Sequence, residues 1–125
     1  MILGIGVDIC NVQRLAQLRQ KYGARFLDRV FTPVEQERCG IGAACDERYA
    51  ARFAAKEAYM KALGTGWGQG LTFFDIEVST EDTGQPRITV SGGAKRVSDE
   101  RGVATIHISL SHERDNAIAF VILEA

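Results

Sequence analysis

The stretch that decides the fold is residues 44–64, ACDERYAARFAAKEAYMKALG. It predicts a helix over residues 44–63, closed by Gly64. Placed about 100° apart around the axis, Tyr49, Phe53, Met60 and Leu63 share one stripe, and Ala51, Ala55, Ala58 and Ala62 share the opposite face. The stripe can bury large side chains, and the alanine face lets another element come close. That leaves no broad solvated face. Arg48, Arg52 and Lys56 fall in one seam between the two faces, and Glu57 and Lys61 in the other. Charges pressed between two buried faces need partners or a metal ion, because an unpaired desolvated charge is costly. These seams are the first sign of a site.

Outward from this helix, residues 1–9 form a short apolar run, expected to be a buried, central strand. Asn11 caps a helix with Val12, Leu15 and Leu18 at helical spacing, and Gly23 ends or kinks it. Thr32-Pro33-Val34-Glu35 places a cap, a proline at the first helical position and a glutamate at the third. It predicts a short helix ended near Gly40 or Gly42. Beyond Gly64 the loop Gly64-Thr65-Gly66-Trp67-Gly68-Gln69-Gly70 lacks the G-K-[ST] ending of a Walker loop and follows a helix rather than opening one. Residues 73–80 alternate as a strand, with Phe74, Ile76 and Val78 on one side, and residues 81–84 turn it back into a strand at 86–90. Ser91 caps a short helix through Val97, ended around Gly102. Residues 103–110 predict a strand with Ile106, Ile108 and Leu110 toward the core, and Thr105, His107, Ser109 and Ser111 on a hydroxyl-rich face. A turn at His112-Glu113-Arg114-Asp115 leads into a last strand, 117–123. The expectation is a single α+β domain over residues 1–125, with antiparallel pairing, one long helix and several short ones.

Composition narrows the function classes. The chain has 15 Lys and Arg against 16 Asp and Glu, a net charge of −1, which argues against a nucleic-acid-binding surface. No uncharged stretch approaches the ~20 residues of a membrane span. Asp8 interrupts the N-terminal apolar run and no basic segment precedes it, so no signal peptide is expected. Cys10, Cys39 and Cys45 are widely spaced without a C-x-x-C, which argues against a disulfide framework or zinc finger and fits a reducing cytoplasm. The charge is uneven, however: residues 10–30 carry Arg14, Arg19, Lys21, Arg25 and Arg29 against the single acid Asp28. Such a patch can steer an acidic partner or be an ordinary solvated helix face.

Asp8 stands inside the apolar run Gly6-Val7-Asp8-Ile9, where a carboxylate needs a cation, a metal or several donors. Glu57 is the obvious second carboxylate, although it could equally pair with Lys61 one helical turn on. Two carboxylates from different elements suit magnesium rather than zinc.

Three blocks carry a resemblance over essentially the whole chain. They are Gly4-Ile5-Gly6-Val7-Asp8-Ile9; Arg52-Phe53-Ala54-Ala55-Lys56-Glu57-Ala58 followed by Lys61-Ala62-Leu63-Gly64-Thr65-Gly66; and Ser109-Leu110-Ser111-His112. Together they resemble the holo-[acyl-carrier-protein] synthases, the short bacterial type of 4′-phosphopantetheinyl transferase. The resemblance implies transfer of 4′-phosphopantetheine from coenzyme A to a serine of apo acyl carrier protein, releasing adenosine 3′,5′-bisphosphate, in fatty acid biosynthesis in the cytoplasm.

It further implies magnesium held by Asp8 and Glu57, with Lys61 neutralising or protonating the leaving phosphate. Glu57, directly or through water, is preferred to Asp8 or a metal-bound water as acceptor of the serine proton. Arg52 and His112 would meet the nucleotide end of coenzyme A with its 3′-phosphate, and Thr65 and Gly66 would line the path of the pantetheine arm. Arg48 and Lys56 are further phosphate-ligand candidates that the motifs do not single out, with pairing to an acid in its own seam the alternative for Lys56. Arg14 would dock the acidic carrier, with Arg25 and Arg29 as weaker candidates and Leu18 and Phe26 adding apolar contact. The short members form homotrimers with active sites shared between subunits. Cys10 and the bulky Trp67 are the departures, either of which could tune substrate fit. One rival is the same chemistry on a polyketide or peptide carrier. The other is a non-catalytic module that binds coenzyme A or an acidic protein, which would not need Asp8, Glu57 and Lys61 together.

Overall fold

The computed structural model describes residues 1–66 and 68–125. Its long helix, α4 (Cys45–Leu63), ends where Gly64 adopts a left-handed φ of 73°. Asp46 and Glu47 lie in its first turn and Lys61 in its last, each matching the helix dipole. Thirteen of its nineteen residues are buried, so both faces are covered.

The alanine face lies on a three-stranded antiparallel sheet of order β1-β5-β4: β1 (Ile2–Asn11), β5 (Asn116–Glu124) and β4 (Thr105–Glu113). A Cβ on Gly4 or Gly6 would sit 1.9 Å from the carbonyl oxygen of Ala62 or Ala58. Helix and strand backbones therefore touch almost directly, and only glycine fits there. Opposite these glycines and Cys10, β5 presents Leu123, Val121 and Ala117, and Ala119 pairs with Asp8; all four are buried.

The N-terminal strand is therefore an edge strand; β5, not β1, is central. Nor is it buried on both faces. Ile5, Val7 and Ile9 are more than half exposed, and they pair across to Ile122, Phe120 and Ile118 of β5 on the outer face of the sheet. The apolar run was misleading because one face meets α4 and the other is an uncovered apolar surface. On β4 the polar residues His107, Ser109 and Ser111 continue that outer face, while Ile106, Ile108 and Leu110 pack partly buried against the core.

The remaining helices close the aromatic side of α4. Asn11 caps α1 (Val12–Tyr22) by accepting from the Arg14 backbone N–H. Gly23, at φ 55°, ends α1, and α2 (Ala24–Val30), which sequence reasoning did not foresee, follows at once. The capping box at Thr32 and Glu35 opens α3 (Pro33–Cys39), which stops at Gly40. Phe31 packs on Tyr49 at 4.7 Å and Phe73 on Phe53 at 5.0 Å between ring centroids. Each such side chain contributes about 1.5–3 kcal/mol by leaving water.

Phe73 belongs to a 3-10 turn (Phe73–Asp75), so the expected strand begins later, as β2 (Ile76–Thr80). Ile76 and Val78 face the core as expected, but Phe74 is exposed instead of sharing their side. β2 pairs with β3 (Pro86–Val90) in a separate hairpin. α5 (Gly92–Glu100) follows; Ser91 stands at its N-cap without making a side-chain capping bond. The last turn is tighter than expected. His112 and Glu113 remain in β4, and only Arg114 and Asp115 form the loop, with Arg114 at φ 55°. No helix among the described residues is long and apolar enough to cross a membrane.

Candidate active site

The inward face of β1 runs Gly4, Gly6, Asp8, Cys10. The two glycines bring α4 so close that Asp8, two residues on, reaches the charged seam of the helix. Lys61 Nζ donates to Asp8 Oδ1 at 2.9 Å and to the Val7 carbonyl at 3.1 Å. The helical Glu57–Lys61 pair is thus not the one formed among the described residues; Lys61 is taken by the strand carboxylate. Glu57 is held above the usual carboxylate range, first by burial and then by the Asp8 charge, with Lys61 and Arg14 pulling the other way.

Two neighbouring carboxylates, one with a raised proton affinity, are a donor set that an oxygen-liganded divalent cation would relieve. No group of three or more His, Cys, Asp or Glu suited to a metal occurs among the described residues. Water and phosphate oxygens would have to complete the shell, which fits magnesium and does not fit a structural zinc.

Arg14 stands at the rim of this cluster. Its guanidinium is 5.7 Å from the centre of the Phe53 ring, one helical turn before Glu57. Arg25 lies further along, with Leu18, Tyr22, Phe26 and Arg29, around a groove of about 330 Å³ between α1 and α2.

Arg52 and His112 meet in a second recess, of about 320 Å³, together with Glu47, Arg48, Leu110 and Ser111. Arg52 is buried; it donates to the Arg48 carbonyl at 3.2 Å, while its Nε has no hydrogen-bond partner among the described residues. His112 Nδ1 lies 3.7 Å from Glu47 Oε1. Sequence reasoning did not single out Glu47, whose only signal was its position one turn before Ala51 on α4.

Lys56 is not a phosphate ligand. It is fully buried and paired at 2.7 Å with Glu35, an acid from α3 rather than from its own seam. Burial lowers the lysine's proton affinity and Glu35 opposes that shift. Cys10 is also turned into the core, its thiol pushed up to about 11 by burial, and so does not face a substrate. Thr65 and Gly66 lie past the C-terminal end of α4, where Thr65 Oγ1 donates to the Gly66 carbonyl. Trp67 lies outside the described residues.

The structure thus brings together Asp8, Glu57, Lys61 and Arg14 in one cluster, and Arg52 with His112 in another. It does not bring Arg52 and His112 to Thr65 and Gly66. From Arg52 to the end of α4 is about 16 Å along the axis.

Two carboxylates and a lysine, set between an N-terminal strand and a long alanine-rich helix, form a cluster chemically suited to a phosphate group and a divalent cation. The pattern of the 4′-phosphopantetheinyl transferase superfamily matches residues 4–121, and the chain belongs to that superfamily. Within it, the holo-[acyl-carrier-protein] synthase of Koribacter versatilis (strain Ellin345) is 49% identical over 124 residues, covering 99% of both chains. Two solved structures of that kind are similar. The Neisseria meningitidis synthase has a TM-score of 0.91 at 34% identity, covering 100% of both chains. The Helicobacter pylori synthase, in complex with coenzyme A, has a TM-score of 0.85 at 33% identity, covering 96% of this chain and 99% of that one.

Proposed function

We propose that this chain carries out the holo-[acyl-carrier-protein] synthase reaction, moving 4′-phosphopantetheine from coenzyme A to a serine hydroxyl of an apo acyl carrier protein. The observation that carries the reading is the meeting of Asp8, Glu57 and Lys61 between β1 and α4. In the reaction the serine oxygen forms a bond to the phosphorus bearing pantetheine, and the bond to adenosine 3′,5′-bisphosphate breaks. Magnesium held by Asp8 and Glu57 would neutralise charge on the pyrophosphate.

Glu57, in the same cluster, would take the serine proton directly or through water. Lys61, held by Asp8 and the Val7 carbonyl, points its ammonium at the same cluster and can offset charge on the departing phosphate. Arg52 and His112 would hold the nucleotide end, the Arg52 Nε, unpaired among the described residues, being a donor in want of an anion. Thr65 and Gly66 line the pantetheine arm.

Arg14, Arg25 and Arg29 present the basic surface to an acidic carrier, and Leu18 and Phe26 supply apolar contact beside them. A homotrimer with shared sites accounts for two features at once. It would cover the apolar outer rungs Ile5–Ile122, Val7–Phe120 and Ile9–Ile118, and it would join groups that one chain leaves far apart on α4. The setting is fatty acid biosynthesis in the cytoplasm.

The test is to incubate the protein with coenzyme A, magnesium and apo acyl carrier protein and weigh the carrier. A magnesium-dependent gain of about 340 Da, the transferred phosphopantetheine, is expected. Asp8→Ala and Glu57→Ala should abolish it. Coenzyme A binding with no gain on any carrier would instead favour a binding module.

A further inference from the structure

Lys56 spends all three of its N–H donors inside the protein: on Glu35 Oε1 at 2.7 Å, the Val30 carbonyl at 2.8 Å and the Phe73 carbonyl at 3.0 Å. Glu35 in turn accepts from the Thr32 backbone N–H through Oε1 and from the Val78 backbone N–H through Oε2, each at 2.9 Å. Both side chains are fully buried, and the ammonium lies 5.3 Å from the centre of the Phe31 ring.

One ion pair thus joins the end of α2, the cap of α3, the middle of α4, the turn before β2, and β2 itself. Stability alone does not call for charges here, since a well-packed apolar pair is often as stable as a buried ion pair. What an apolar pair lacks is direction. Three acceptors from three segments hold Lys56 at one angle about the α4 axis.

On the opposite side the helix has no slack either. Ala58 and Ala62, about 200–240° around from Lys56, bear on Gly6 and Gly4 without room for a methyl group. Glu57 and Lys61 project between these two fixed contacts. A carboxylate about 6 Å from the axis moves by about 1 Å when the helix turns by about 10°.

We propose that Lys56 and Glu35 are positioning residues for the transfer reaction: their buried pair sets the rotation of α4 against β1 and thereby the placement of Glu57 and Lys61 relative to Asp8. This role rests on the functional reading above.

The experiment compares wild type with Glu35→Gln, Lys56→Met and the double variant, at a temperature where circular dichroism shows each folded. Glu35→Gln is the deciding variant, because its amide oxygen still serves a donor and the fold is least disturbed. It should lower kcat about 10²-fold, the cost of an ångström's misplacement, with KM for coenzyme A little changed. Calorimetric affinity for magnesium in the coenzyme A complex should weaken in parallel. The double variant should not regain turnover.

A folded Glu35→Gln protein with wild-type kcat and magnesium affinity overturns the positioning role and leaves a merely stabilising pair. So does a KM increase that accounts for the whole loss. A wild-type protein that modifies no carrier overturns the functional reading and this role with it.

Discussion

Lys56 and Lys61 stand five residues apart on one helix, and each meets a carboxylate within 3 Å, yet the two pairs do different things. Lys56 and Glu35 are both 0% exposed, and every donor on the lysine is used. Lys61 is 54% exposed, beside an Asp8 that also faces Glu57. The first pair is sealed by protein on all sides; the second is open to solvent through its lysine. What separates them is which element the helix meets on each side, Lys56 standing opposite the alanine face and Lys61 in the seam beside β1. Toward α3 it meets a capping box whose glutamate points inward. Toward β1 it meets a strand edge open to solvent.

The comparison breaks first at turnover. Glu57→Gln should lower the carrier modification rate by about 10²–10⁴-fold, the range for loss of a general base. The same change should raise thermal stability at neutral pH without metal. The folded-state pKa of Glu57 is raised, so ionisation costs the folded protein stability above that pKa, and the cost disappears as pH falls below the unfolded value. A melting temperature unchanged between wild type and variant across that pH range would contradict the assignment. Lys61→Met should impair transfer as well, but cost only about 1 kcal/mol of unfolding free energy, because the lysine is more than half exposed.

The sealed pair should respond the opposite way. Lys56→Met leaves Glu35 buried without its cation and should cost about 3–5 kcal/mol by urea denaturation. If Lys61→Met proved the more destabilising of the two, the distinction drawn from burial would collapse.

A third change sharpens the geometry between them. Gly6→Ala forces a methyl group against the Ala58 carbonyl and should cost about 1–3 kcal/mol, with transfer falling further than stability because Asp8 moves with the strand. The smallest effect is expected at Thr32→Ala. It removes the hydroxyl that accepts from the Glu35 N–H and should cost about 1 kcal/mol, with Tm the measurement that checks it.

Much of this was legible in the chain. The periodicity of residues 44–63 marked both buried faces of α4 and charges in need of partners, although Lys56, expected in a seam, stands on the aromatic side opposite the alanines. Asn11, Thr32 with Glu35, and Gly64 marked helix ends through local chemistry that needs no distant contact. Asp8 was suspect because a carboxylate in an apolar run has few cheap explanations.

Partners were another matter. Lys56 met Glu35 from twenty-one residues away, and Lys61 chose Asp8 over the nearby Glu57. The N-terminal run looked central because apolar residues occupy both its faces, and no local signal separates a strand covered by helix from one left uncovered. Phe73–Asp75 took a turn instead of a strand, with Phe73 stacked on Phe53.

The amino-acid sequence by itself determined the ends of α1, α3 and α4, the two faces of α4, the carboxylates Asp8 and Glu57, and the family, since these rest on residue type and short-range spacing. Only the tertiary structure decided which lysine is sealed and which is open, that β5 lies at the centre of the sheet, and that Arg52 with His112 stands apart from Asp8 with Glu57. Those outcomes depend on which segments meet across the fold. The backbone contact of Gly4 and Gly6 with α4 sets that meeting on one side, and the Lys56–Glu35 pair sets it on the other.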